Sequence, residues 1–219
     1  MSAESVAADS LTTRRFYDRI SRAYDFIADA SEHAIRERAL SALALAPGER
    51  VLEVGFGTGH GLISMAEAVG ASGSVCGIDI SGGMVSVARR RLVLQGQQRV
   101  SLLQADARSL CFRSDTFDAV FLSFTLELFG PAIPFVLRDA RRVLRGGGRI
   151  GVVGLAESVN PGPISDLYLW LHRHLPHLID CTPTNIGRAI TNAGFALESV
   201  ETTTMWTLPV ALVVGRKRG

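Results

Sequence analysis

Residues 51–61, VLEVGFGTGHG, run from apolar positions through one acid into glycines at 55, 57, 59 and 61. Glycine has no Cβ, so a ligand can lie close against such a backbone. A loop of this kind between a strand and a helix serves a nucleotide-like cofactor. Two familiar versions are excluded by spacing. A dinucleotide loop needs glycine at the sixth position counted from Gly55, and His60 stands there. A Walker loop needs Gly-Lys followed by Ser or Thr, and none follows. Glu53 sits inside the strand just before the loop, and Asp79 ends the next apolar run, SVCGID.

The other chemistry-bearing cluster is LHRHLPHLIDC, with His172, His174 and His177. On a helix, positions 172 and 174 lie about 200° apart, and Pro176 breaks the helix before His177. A metal site is therefore not expected. His172 lies four residues after Tyr168, on one helix face, and Asp180 could orient or charge its imidazole, which makes His172 a candidate base. The chain shows no triad and no metal cage.

These residues need elements to position them. Tyr17, Ile20, Tyr24 and Ile27 share one face of a helix expected within residues 11–30, and a second helix is expected at about 31–45, ended by Pro47-Gly48. Short apolar strands are then expected at RVLEVG, SVCGID, RVSLLQAD, FDAVFLSF and RIGVVGLA, alternating with helices at 60–70, 82–94 and 131–145. Val85, Ala88 and Leu92 are spaced for burial in the 82–94 helix, and Ile133, Val136, Ala140 and Val143 in the 131–145 helix. Strands that are nearly all apolar, joined by helices over short loops, predict a doubly wound, mostly parallel α/β sheet buried on both faces. Beyond residue 157 come a helical insertion, a helix in TPTNIGRAITNAGF capped by Thr182 or Thr184 and stopped by Gly194, and two strands that read as a terminal hairpin.

Composition narrows the class. At 219 residues and 47% hydrophobic, the chain suits one large domain and not disorder. Net charge is +2; of 23 basic residues only Lys217 is lysine, and the arginines are scattered. Arg89, Arg90 and Arg91 read as a solvated helix face, so nucleic acid is not an expected partner. Glu4 and Asp9 interrupt any apolar signal core, and no apolar run approaches the ~20 residues that cross a bilayer. Cys76, Cys111 and Cys181 read as reduced thiols, and the expected location is the cytoplasm.

The motifs together resemble those of class I S-adenosylmethionine-dependent methyltransferases. VLEVGFGTG is similar to the family's acid-x-G-x-G-x-G signature, GIDIS..M to its second acidic motif, and QADA to its third. VLRGGGRI resembles the Leu-Lys/Arg-Pro-Gly-Gly turn before strand five, with Gly146 in the proline position. Tyr17-Asp18 and Tyr24-Asp25 resemble the ubiquinone/menaquinone C-methyltransferase branch. The resemblance implies a seven-stranded Rossmann-like sheet: residues 1–45 form a helical lid, and 46–219 the methyltransferase domain with a helical insertion at 157–181. It also implies S-adenosyl-L-methionine as cofactor. That ligand has no phosphate, so the loop needs no lysine. Gly55, Gly57 and Gly59 would give it bare backbone, and Glu53 would face its ammonium. Asp79 would accept both ribose hydroxyls. Ile80 and Met84 would sandwich the adenine, and Asp106 would accept from its exocyclic amine. Ala107 and Ser123 complete the expected cofactor set. Tyr24 would touch the ligand from the lid and, with His172, make up the expected catalytic pair.

Methyl transfer from a sulfonium needs mainly positioning and desolvation, which agrees with the missing triad. LSFTLELF after the fourth strand lacks the Asn/Asp-Pro-Pro-Tyr pattern of enzymes that methylate amino nitrogens. The apolar run Phe121, Phe124, Leu126, Leu128 and Phe129 suggests a small hydrophobic acceptor, with carbon of a quinol or phenol the first expectation. N- or O-methylation of a lipid head group or secondary metabolite stays open. So do a catalytically silent cofactor-binding partner, peripheral membrane contact and the oligomeric state.

Overall fold

A computed structural model describes residues 29–157, 183–205 and 208–219. The expected helix within 11–30, with Tyr17 and most of its face, and the insertion bearing His172 lie outside the described residues, as does Thr182.

Helix α1 (Asp29–Leu43) leads into β1 (Arg50–Val54), α2 (His60–Val69), β2 (Ser74–Asp79), α3 (Gly82–Leu94), β3 (Ser101–Gln104) and β4 (Phe117–Ser123). A 3₁₀ segment (Leu126–Ala132), kinked at Gly130, then leads to α4 (Ile133–Val143) and β5 (Leu144–Leu155). The chain closes with α5 (Ile186–Asn192), β6 (Phe195–Met205) and β7 (Leu208–Lys217). The seven strands form one sheet in the order β3-β2-β1-β4-β5-β7-β6. All neighbours are parallel except β7, which runs antiparallel to both β5 and β6. This is the doubly wound, mostly parallel sheet with a terminal hairpin that the alternation predicts.

Alternate strand residues feed two cores. Leu52, Val54, Leu122 and Val152 pack with Val136, Leu137 and Ala140 of α4 and with Ile186 and Ile190 of α5. Val51, Phe121 and Val153 pack on the other face with Leu40 and Leu43 of α1, Leu62 and Met65 of α2, and Ala88 and Leu92 of α3. Burial on both faces explains why the central strands read as apolar runs rather than alternations.

Four local expectations are corrected. RVSLLQAD yields only the short edge strand β3, whose Leu103 is 39% exposed; at an edge, a strand loses the second neighbour and much of its cover. The glycines of VLRGGGRI do not make a turn before strand five. β5 runs through them, and its register on β4 jumps between Phe117↔Leu144 and Ala119↔Arg149, so residues 145–148 form a bulge with Gly147 at φ 76°. On α3 the buried positions are Met84, Ala88 and Leu92, while Val85 is half-buried. The cap of α5 is Asn185, not Thr184: the Asn185 side chain accepts a 3.0 Å bond from the Arg188 amide. Gly194, at φ 86°, ends this helix as expected.

Replacing Asn185→Ala should cost about 1 kcal/mol by removing that cap, read as a lower midpoint in urea unfolding with an unchanged slope. An unchanged midpoint would show that the Arg188 amide is satisfied otherwise.

Candidate cofactor site at the carboxyl ends of the strands

β1 and β2 end side by side, with Glu53 paired to Gly77 and Val54 to Ile78, so Glu53, the glycine loop and Asp79 meet at one end of the sheet. Open α/β sheets bind ligands at that end. The four glycines do different work there. A Cβ on Gly55 would collide with Thr125, the residue that follows β4 and Phe124 and donates its hydroxyl to the Gly55 carbonyl at 3.2 Å. A Cβ on Gly59 would meet the Ala88 methyl at 2.8 Å, so this glycine sets how closely α3 approaches. Gly61, inside the first turn of α2, leaves the space that the Glu53 carboxylate occupies. Only Gly57 faces open space, at φ 53°. It is the position where a ligand can lie on bare backbone.

The acids are held by the loop itself. Asp79 accepts from the Gly57 amide through Oδ2 and from the Ser81 amide through Oδ1, both at 2.9 Å. Ser81 in turn caps α3, its Oγ accepting from the Met84 amide at 3.1 Å. Asp79 is half-buried and is thus a brace for the loop as well as an acceptor at its rim.

Glu53 is only 2% exposed, and its Oε2 is buried without a hydrogen-bond partner. Burial raises its pKa, the positive charge of Arg36 opposes the rise, and the negative charge of Asp79 adds to it, leaving the carboxyl pushed up to about 8. Arg36 is itself buried, on the face of α1 that carries Ala39, Leu40 and Leu43. A buried arginine at i, with apolar residues at i+3, i+4 and i+7, is the sequence signal that could have placed it here.

The remaining expected ligand residues divide. Ile80 is half-exposed, and its carbonyl accepts from Gln104 Nε2 at 3.0 Å. Met84 is 2% exposed and sits within the core, presenting almost no surface to an adenine in this structure. Asp106 is forked by the Arg108 guanidinium, whose Nε lies 3.0 Å from each carboxylate oxygen. Burial alone would raise Asp106, and the Arg108 side-chain and backbone bonds outweigh it and lower the pKa. Ala107 is buried beside it. Ser123, the last residue of β4, keeps a buried Oγ without a partner. Tyr24 and His172 lie outside the described residues. Of the apolar run that begins in β4, Phe121, Phe124 and Leu126 are core, and only Leu128 and Phe129 are half-exposed. The acid within that run, Glu127, was passed over in the sequence; it is 2% exposed and its carboxyl is pushed up to about 7.

A cationic amine fits the unpartnered Glu53 oxygen, and an extended ligand fits the bare backbone at Gly57. Adenosylmethionine meets both demands, whereas the pyrophosphate of a dinucleotide has no cation to offer the buried acid. Glu53 also sets a pH dependence. Its folded pKa lies above the ordinary 4.5, so the folded state holds the proton more tightly and stability falls as pH rises from about 4.5 to about 8. Glu53→Gln should remove that decline, making the variant more stable than the wild type at pH 8 but not at pH 4, while weakening adenosylmethionine binding. Parallel thermal melts and titrations check both halves. Equal pH slopes in the two proteins would show that Glu53 ionises freely.

The comparisons with known proteins agree with this geometry. The family model of the ubiE/COQ5 methyltransferase family matches residues 6–183. A demethylmenaquinone methyltransferase of Bacillus cereus is 33% identical over 138 residues, 61% of this chain and 58% of the relative. One from Anoxybacillus flavithermus is 34% identical over 140 residues, 62% and 59% of the two chains. The chain thus spans somewhat over half the length of the curated relatives it matches. Among solved structures, a SAM-dependent methyltransferase from Aquifex aeolicus superposes with a TM-score of 0.71 at 20% identity, covering 91% of this chain and 97% of that one. The [4+2]-cyclase SpnF superposes with a TM-score of 0.69 at 19% identity, covering 84% and 80%. The fold therefore hosts more than one chemistry, and it is the family match over residues 6–183 that assigns the chain: it belongs to the ubiE/COQ5 methyltransferase family.

Proposed function

We propose that this protein is an S-adenosylmethionine-dependent methyltransferase acting on a small, rather apolar acceptor, a carbon of a reduced quinone or phenol. The observation that carries the donor half is the Glu53 carboxylate, buried with a free oxygen beside a loop whose Gly57 faces open space. When bound, adenosylmethionine supplies a methyl group already activated on a sulfonium sulfur. The protein's own residues bind, orient and exclude water. Glu53 takes the ammonium, and the first-turn amides of α2, whose N-cap Gly59 offers no side chain, take the carboxylate. Asp79, held at the rim of the loop by the Gly57 and Ser81 amides, receives the ribose hydroxyls. Ile80 lies against the adenine, and Ala107 and Ser123 line the cleft. The Arg108 fork leaves Asp106 less free to accept from the adenine amine than its position alone suggests. Tyr24 keeps the lid role given by its sequence position, and His172 the base role, toward the ring proton that carbon gives up once methylated.

The acceptor half rests on chemistry and on relatives. A methyl group leaving a sulfonium is electrophilic, so its acceptor must be electron-rich. A quinone ring is itself electrophilic, and its reduced, dihydroxy form is the nucleophile. The relatives from Bacillus and Anoxybacillus are named for demethylmenaquinone, and Leu128 and Phe129 supply apolar surface after β4.

Titration with adenosylmethionine, its demethylated product and NADH should show binding of the first two alone; tight NADH binding without a response to adenosylmethionine would overturn the reading. Asp79→Ala should weaken adenosylmethionine binding by about 1.5–3 kcal/mol for each charged hydrogen bond lost, and should also loosen the loop it braces. Unchanged affinity would remove the ribose role. Incorporation of a labelled methyl group from the cofactor into a reduced naphthoquinone tests the acceptor, and labelling of other components of a metabolite extract would redirect it.

A further inference from the structure

The donor site leaves one buried acid without a use. β4 ends at Ser123, opposite Val153, so among the described residues no strand lies beside the last two residues of β5 on that edge. Glu127 fills part of the gap: its Oε1 accepts from the Leu155 amide at 3.0 Å, as a further residue of β4 would have done. Its Oε2 is buried with no hydrogen-bond partner among the described residues. A Cβ on Gly154 would lie 2.5 Å from that oxygen, so the backbone of β5 is bare just where the carboxylate needs room. Leu126 and Val152 belong to the core on this face, with Ile133 and Ile186. A buried carboxyl oxygen left without a hydrogen bond is unfavourable, so a tolerated one points to a ligand that completes it.

Its place in the fold separates it from the donor. Phe121 and Val153 face the α2 core, and Leu122 and Val152 the α4 core. By the same alternation Glu53 points toward α2, while Gly154, and Glu127 over it, lie on the α4 side at the ends of β4 and β5. Thr125, two residues before Glu127, contacts the glycine loop through Gly55. A single turn of chain therefore links the donor loop to this carboxylate.

We infer that Glu127 is an acceptor-binding residue, whose free Oε2 receives the hydrogen bond of an aromatic hydroxyl on the methyl acceptor and takes its proton. This rests on the methyltransferase reading. The step is a simple exchange: the hydroxyl O–H bond breaks, its electron pair stays on the oxygen to give the aryl oxide, and the proton becomes the acid proton of Glu127. The aryl oxide pushes electron density into the ring, which is what carbon needs to act as the nucleophile. Burial raises the Glu127 carboxyl to about 7, against its own and the Leu155 backbone hydrogen bonds, which lower it. That brings it within about 3 units of a phenol near 10, where an ordinary glutamate would be more than 5 units away.

The test uses the full chain saturated with S-adenosylhomocysteine, titrated anaerobically at pH 8 with 1,4-dihydroxynaphthalene and, separately, with its dimethyl ether, which cannot donate. The wild type should prefer the diol by at least tenfold. Glu127→Gln keeps an oxygen for the Leu155 amide but turns an NH₂ toward the ligand, and its preference should fall to threefold or less. Equal preferences in the two proteins, or a wild type that does not distinguish the two probes, would overturn the inference. Adenosylmethionine titrated into the same preparations shows whether the donor-site reading has failed as well. Should the glutamine variant not fold, Glu127→Asp carries the comparison, since its shorter arm withdraws the carboxylate and should lower the preference by a similar factor; a wild-type preference in it would count against the assignment.

Discussion

A carboxylate kept from water at the end of β1 is the constraint around which this end of the molecule is built. Glu53 can sit there only because Gly61 has no side chain, because α2 begins where it does, and because Arg36 on α1 brings a positive charge near. Each condition is set by a different element, so the first helix, the first strand and the second helix must all be docked before the acid is in place. The tension left in its unpartnered oxygen is the kind of local cost that a protein retains where a ligand relieves it. The loop is stiffened from the other side by Asp79, whose two amide bonds tie the glycine turn to the start of α3.

The donor end and the opposite end of the cleft follow different rules. On the donor side, backbone amides, glycines and acids converge, and side-chain identity is strongly restricted by close packing. On the side of β4 and β5, one acid replaces a missing strand and apolar side chains fill the rest. A fold shared by a methyltransferase and a [4+2]-cyclase can change its chemistry in the second region without disturbing the first.

The sheet was legible because strands buried on both faces leave an unmistakable apolar run between helices of regular period. SVCGID and the helix at 82–94 match their observed bounds, since Ser81 and Asp79 mark the junction chemically as well as by pattern. Edges were harder to read. β3 keeps only half of RVSLLQAD because β2 alone flanks it among the described residues, and the glycines of β5 read as a turn because glycine serves bulges and turns alike. In the site, the loop and its two acids stood out because their spacing repeats a constraint on backbone. Arg36 and Glu127 did not, because a single charged residue within an apolar pattern shows its burial only when the partner element is known. Glu127 was hidden further by the apolar neighbours that drew attention to hydrophobic contact instead.

The placement of β7 between β5 and β6 has a consequence for synthesis. Residues 208–217 leave the ribosome after both of their neighbours, yet they complete the interior of the sheet, pairing from Arg149 to Leu155 on one side and along nearly all of β6 on the other. Until they emerge, β5 presents a long apolar margin with unpaired amides and carbonyls, and β6 has no partner strand in the sheet. The nascent chain therefore carries an adhesive flank from the emergence of β5 until that of β7, and β5 and β6 are joined in one step rather than strand by strand.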